Sequence, residues 1–246
     1  SPVDCIFLDP ARRNEHGGKT VAISDCEPNV AELEGLLLSK ANRIMIKLSP
    51  MLDLSQALKE LPHTQEVHII SVNNECKELL LLLGQTAPEE IPVHCVNLST
   101  KGEQEKQLFV FTREQEQHSE CSYTDTLGNY LYEPNASLLK AGAFRSIAAA
   151  YSVKKLHPNS HLYTSDTQIE GFPGRTFRII NRCSLNKKEI KENLSDLKKA
   201  NITVRNFPAT VTELRKRIKL AEGGDTYLFA STLNDGQKIL IRCGKV

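Results

Sequence analysis

Residues 3–13 read Val3-Asp4-Cys5-Ile6-Phe7-Leu8-Asp9-Pro10-Ala11-Arg12-Arg13, an apolar run of strand type that ends on a short polar cluster. Ligand sites of open α/β sheets lie at the carboxyl ends of their strands, so the cluster falls where such a sheet does its chemistry. Asp9 supplies an acceptor, Pro10 stiffens the exit, and Arg12 and Arg13 offer planar donors for a phosphate or a carboxylate. A plain turn is the other reading of an Asp-Pro at this place.

Outward from this stretch, the pattern alternates strand and helix. A Gly17-Gly18 loop leads to a helix over about 29–40, with Val30, Leu33 and Leu37 on one face. Residues 43–48 read as a second strand, 54–61 as a short helix and 66–72 as a third strand. The leucine run 79–83 is expected on the helix that follows. Residues 93–98 and 108–112 flank the polar turn Thr100-Lys101-Gly102-Glu103 and read as an antiparallel pair. Alternating units of this kind predict a mostly parallel sheet with helices on its faces.

Residues 113–125 turn polar and read as a linker. A helix is then expected from Glu133-Pro134-Asn135 to about Tyr151, with the proline near its first turn. Strands are expected at 162–164, 175–180 and 202–207, and an amphipathic helix at 187–200 with Ile190, Leu194 and Leu197 on one face. Thr210-Val211-Thr212-Glu213 is a capping box opening a helix whose stripe is Val211, Leu214, Ile218 and Ala221, with its stop at Gly223-Gly224. A hairpin over 226–232 and 237–243 turns at Asn234-Asp235-Gly236. This half reads as α+β.

Charge divides the chain where the pattern does. Residues 1–120 hold 11 basic and 19 acidic side chains, residues 121–246 hold 20 and 11, a net of −8 against +9. Such asymmetry points to two domains, the second with an anionic partner. The longest apolar run is far short of the roughly 18 residues that span a bilayer, and no signal peptide is expected from the opening residues. Seven cysteines without a CxxC pair argue against a disulfide framework and a structural zinc, and a reducing cytoplasm is the simplest setting. The seven histidines show no metal-ligand spacing, and no metal is expected. With no initiator Met and a buried-type strand beginning at Val3, the chain is read as a fragment.

The strand with Asp9-Pro10-Ala11-Arg12-Arg13 resembles the fourth motif of class I S-adenosylmethionine-dependent methyltransferases. It is more closely similar to the bacterial members that carry a THUMP-like C-terminal domain. Lys47-Leu48-Ser49-Pro50-Met51-Leu52-Asp53, Tyr132-Glu133-Pro134-Asn135 and Ile202-Thr203-Val204-Arg205-Asn206-Phe207 extend the resemblance over nearly the whole chain. The resemblance implies an α/β fold, the C-terminal half of a Rossmann-like methyltransferase sheet, followed by ferredoxin-like and THUMP-like α+β domains. The boundaries it suggests are 1–115, 116–185 and 186–246.

The same resemblance implies catalytic roles for Asp9, Pro10 and Arg12. The Asp9 carboxylate and the Pro10 carbonyl would accept hydrogen bonds from a target amino group. Ala11 and Arg12 stand where many amino-methyltransferases have proline and a base-stacking aromatic, which leaves the target atom open. The covalent route of the 5-methyluridine enzymes is rejected: Ser71-Val72-Asn73-Asn74 has valine where they need cysteine, and Cys76 is expected on a later helix. The S-adenosylmethionine turn of the class precedes the fourth strand, so cofactor residues are expected upstream of Ser1, with none bound by this stretch and no activity from it alone. Candidates for substrate are Arg13, Lys47, Arg205, Arg215, Lys216, Arg217 and Lys219, with structured RNA, tRNA or rRNA, as the expected partner. Residues 215 and 219 are read as sharing a helix face. The rival readings are a non-catalytic RNA-binding scaffold, and a methyltransferase of a protein or small molecule.

Overall fold

The structure, a computed structural model, describes residues 3–12, 22–100 and 106–246. The Gly17-Gly18 loop, Arg13 and most of the 100–103 turn lie outside the described residues. The chain forms two compact units. One comprises Ser1–His118 with Asn135–Ala143, the other Ser119–Pro134 with Phe144–Val246.

The first unit contains β1 (Val3–Leu8), a short antiparallel pair β2 (Ala11–Arg12) and β3 (Cys26–Glu27), α1 (Val30–Lys40), β4 (Ala41–Leu48) and α2 (Leu54–Glu60). It continues through β5 (Thr64–Val72), β6 (Glu75–Leu83), β7 (Pro92–Leu98), β8 (Lys106–Thr112) and α3 (Arg113–His118). Six strands form one sheet in the order β1-β4-β6-β5-β7-β8. The pairs β1–β4 and β5–β7 are parallel, and the other three are antiparallel. The sheet is therefore mixed, not mostly parallel. The difference comes from the leucines at 79–83, which lie on β6 and not on a helix. A short apolar run does not distinguish a buried strand from a helix. Here Asn73 and Asn74 both adopt positive φ and turn β5 straight back into β6.

Alternation along these strands builds the core. Ile44, Ile46, Leu48, Val67, Ile69, Leu79, Leu81, Val93 and Cys95 are buried on one face. Each large aliphatic side chain removed from water there contributes about 1.5–3 kcal/mol. On the opposite face Phe7, Leu108 and Val110 are exposed. Helix α1 starts where the Asn29 side chain accepts from Ala31 N–H, and α2 where Asp53 accepts from Gln56 N–H. The segment read as a linker begins with α3, anchored where the Gln115 side chain accepts from Thr112 N–H.

The expected helix from Pro134 to Tyr151 is three pieces. Pro134 ends a strand, β9 (Tyr130–Pro134), and two helices follow, α4 (Ala136–Ala141) and α5 (Arg145–Tyr151). Gly142 stops α4 in the left-handed conformation at φ 77°, and α4 packs on β5, β6 and β7 within the first unit.

The second unit adds β10 (Lys154–Lys155), β11 (Tyr163–Ser165), β12 (Gly174–Cys183), α6 (Lys187–Leu194), β13 (Asn201–Val204), α7 (Val211–Ile218), β14 (Thr226–Thr232) and β15 (Lys238–Lys245). Its seven-stranded sheet runs β10-β11-β9-β12-β15-β14-β13, antiparallel apart from the parallel pair β13–β14. Leu131, Phe177, Phe229, Ile239 and Ile241 fill one cluster; Leu194, Leu214, Leu228, Ala230 and Leu240 fill another. The alternation of Leu228, Phe229 and Ala230 along β14 assigns the two clusters to opposite faces.

The capping box at Thr210 is present: its side chain accepts from Glu213 N–H, and Glu213 accepts from Thr210 N–H. A cap of this kind contributes about 1 kcal/mol. The helix ends at Ile218 rather than at Gly223-Gly224, because Lys219 takes the left-handed conformation. That turn drops Leu220 into the core and lets Ala221 pair with Lys199. Likewise α6 stops at Leu194, short of the expected 200.

Candidate functional site

Asp9 lies one residue beyond β1, and Lys47 lies near the carboxyl end of the neighbouring parallel strand β4, where Leu8 pairs with Ile46. The Lys47 ammonium is 2.7 Å from one Asp9 oxygen and 3.6 Å from Glu78 on β6. The hydrogen bond to Asp9 holds the Lys47 ammonium above its ordinary range, with the field of Glu78 adding to it. More than half of the Asp9 side chain is exposed, so the carboxylate can exchange Lys47 for another donor. Pro10 is buried and Arg12 enters β2, where its backbone pairs with Cys26. The structure thus brings together Asp9, Pro10 and Lys47.

Much of the Lys47–Asp53 stretch is structural. Leu52 is buried, Leu52 N–H donates to the Ser49 carbonyl, and Asp53 caps α2. Cys76 stands on β6 and not on a helix, opposite Ser71. Burial pushes its thiol up, which works against a thiolate nucleophile.

The Tyr132–Asn135 stretch also resolves into definite contacts. The Tyr132 hydroxyl donates to the Thr167 carbonyl and accepts from Ile169 N–H. Glu133 is buried and receives both arginines that face it. Arg175 Nε donates at 2.9 Å to one oxygen, with Nη2 of the same residue on that oxygen too, and Arg205 donates at 2.8 Å to the other. A side chain on residue 174 would strike the Glu133 carbonyl at 2.1 Å, so Gly174 is what lets β12 approach here. Asn135 caps α4 and donates to Gln107. Nearby, burial pushes His161 down to about 4, with the fields of Lys155 and Arg205 acting in the same direction.

Four of the basic substrate candidates surround α7. Arg215 donates to the Ala200 carbonyl and approaches Glu222, and Arg217 donates to the Leu185 carbonyl. Lys216 and Lys219 are exposed and meet no carboxylate among the described residues. Lys219 leaves the helix instead of sharing its face with Arg215, but backbone bonds between Ala221 and residues 198–200 join its segment to exposed Lys198 and Lys199. Arg205 stands apart, committed to Glu133.

Residues 130–173 match the family model of a ferredoxin-like domain, and residues 174–245 match that of a THUMP-like domain. The second half is ferredoxin-like, then THUMP-like. The whole chain is similar to the crystal structure of a proposed methyltransferase from Porphyromonas gingivalis W83, with 40% identity and a TM-score of 0.88. That match covers 99% of this chain and 60% of the other, so the chain spans less than two thirds of that relative's length. No functionally curated protein matches the sequence.

The two matched segments share one sheet. Strand β12 of the THUMP-like segment pairs with β9 of the ferredoxin-like segment on one side and with β15 on the other. Glu133 belongs to the ferredoxin-like segment, and Arg175 and Arg205 to the THUMP-like one, so their ion pairs tie the two together across β9, β12 and the exit of β13. Composition gave no sign of this role for Glu133 and Arg175; the missing signal was which strands are neighbours.

Proposed function

We propose that this chain is the carboxyl-terminal portion of an RNA methyltransferase. Asp9 and the Pro10 carbonyl orient the group to be methylated, and the basic surface around α7 holds the RNA. The observation that carries this reading is Asp9 at the carboxyl end of β1, beside Lys47 of the next parallel strand, in a chain 40% identical over 99% of its length to a proposed methyltransferase. In that position Lys47 occupies the Asp9 carboxylate until a donor from the substrate displaces it.

We infer that the residues described at the ends of β1 and β4 are not what holds S-adenosylmethionine. They offer the Asp9 carboxylate, which is already paired with Lys47. We place that site, on a Rossmann-like half sheet, in the part of the relative's length that this chain does not span. This stretch alone therefore transfers no methyl group. The THUMP-like match supports RNA as the substrate class, and exposed Lys198, Lys199, Lys216 and Lys219 supply the charge that phosphates need. The scattered cysteines of the sequence, without a CxxC pair, are the ground on which we place the protein in a reducing cytoplasm; no described helix is long and apolar enough to cross a membrane.

The longer protein, incubated with methyl-labelled S-adenosylmethionine and total tRNA or rRNA, is expected to place label in the RNA. Label in protein or in small molecules, with none in RNA, would refute the substrate class. No label in any acceptor would favour a scaffold.

A further inference from the structure

Strand geometry assembles a second polar cluster on the first unit's sheet, away from Asp9. Glu66 and His68 are two residues apart on β5 and so point to the same face, and His94 sits directly opposite His68 in the parallel β5–β7 register. The two imidazoles stack with centroids 4.4 Å apart and planes 11° from parallel. Their Nε2 atoms lie 3.2 Å and 3.9 Å from the same Glu66 oxygen, and the three ligand atoms are all within 4.8 Å of one another. Their cross-strand neighbours are apolar: Leu82 opposite Glu66, Leu80 opposite His68 and Val110 opposite His94. All three side chains are half-buried and reachable from solvent.

We propose that Glu66, His68 and His94 form a binding site for a divalent transition ion of the zinc type. Two imidazole nitrogens and one carboxylate oxygen are donors that suit such an ion better than magnesium or calcium. Around an ion with bonds of about 2.0–2.2 Å, tetrahedral ligand atoms lie roughly 3.4 Å apart, close to the two distances to Glu66. Three protein ligands leave a position for water or for a substrate atom. The spacing along the chain conceals the site, since His94 joins the pair only through strand pairing 26 positions away.

Zinc titration of the 246-residue protein by calorimetry, with cobalt absorption in the visible as a report on geometry, tests this directly. One equivalent is expected to bind. That equivalent should disappear in the double variant His68→Ala/His94→Ala and weaken by at least about tenfold in Glu66→Gln. Folding of each variant is checked by circular dichroism. Imidazole NMR of the unaltered protein gives an answer that needs no variant: zinc should shift two of the seven histidines, those that the His68→Gln and His94→Gln spectra identify. No bound zinc, unchanged binding in the double variant, or shifts confined to other histidines would overturn the proposal.

Discussion

Asp9→Ala in the longer protein is expected to lower the methyl-transfer rate by about 10²–10³-fold, the loss that follows removal of one preorganised polar partner from a reacting group. More than half of the Asp9 side chain is exposed, and its ion pair among the described residues is with half-buried Lys47, so the substitution leaves the sheet intact. Affinity for S-adenosylmethionine should not change. The conservative variant separates the two ways Asp9 could act. If the carboxylate only accepts a hydrogen bond, Asp9→Asn keeps an acceptor oxygen and recovers part of the rate. If its charge is needed, Asn behaves as Ala. Single-turnover assays on labelled RNA read both variants, and an unchanged rate in Asp9→Ala would remove Asp9 from the site.

Arg175→Met is expected to destabilise the second unit by about 3 kcal/mol, the low end for breaking a buried ion pair. The low end applies because Arg205 still holds the other Glu133 oxygen, and because Arg175 is itself partly solvated. Adding Glu133→Leu should recover part of the loss, since it removes the buried charge that the first change left short of a partner. The coupling is read from a double-mutant cycle in urea. Tyrosine fluorescence isolates the relevant unit: there is no tryptophan, and all six tyrosines, at 123, 130, 132, 151, 163 and 227, lie in the second unit. Additive losses would mean that the triad does not act as one element.

Local signals carried well from sequence to structure. The Thr210–Glu213 box and the turn at Asn234-Asp235-Gly236 are chemical demands of a few adjacent residues, and each stands at the expected place. The errors are of one kind. Leu79–Leu83 has the composition of either a helix or a strand, and only partners on both sides, β4 and β5, decide it. The helix through Pro134 failed because Tyr130–Pro134 is needed between β11 and β12. Lys219 left its helix because Leu220 is needed in the core. The candidate site divides the same way. Asp9 and Lys47 were each visible as motif residues after strands, but their contact at 2.7 Å depends on β1 and β4 being neighbours. Arg205 is legible as a basic residue and Glu133 as part of a motif, but their pairing across 72 positions is not.

On the proposed function, the basic half of this chain holds RNA. Fluorescence anisotropy of labelled tRNA and of a matched DNA duplex, titrated with the 246-residue protein across a salt series, tests it most directly. Tighter binding to tRNA is expected, weakening as salt rises. Changing Lys216 and Lys219 to Gln should lower the salt slope by about 1 for each phosphate that is no longer neutralised. Absence of binding at about 50 mM salt, or a salt slope untouched by those substitutions, would contradict it.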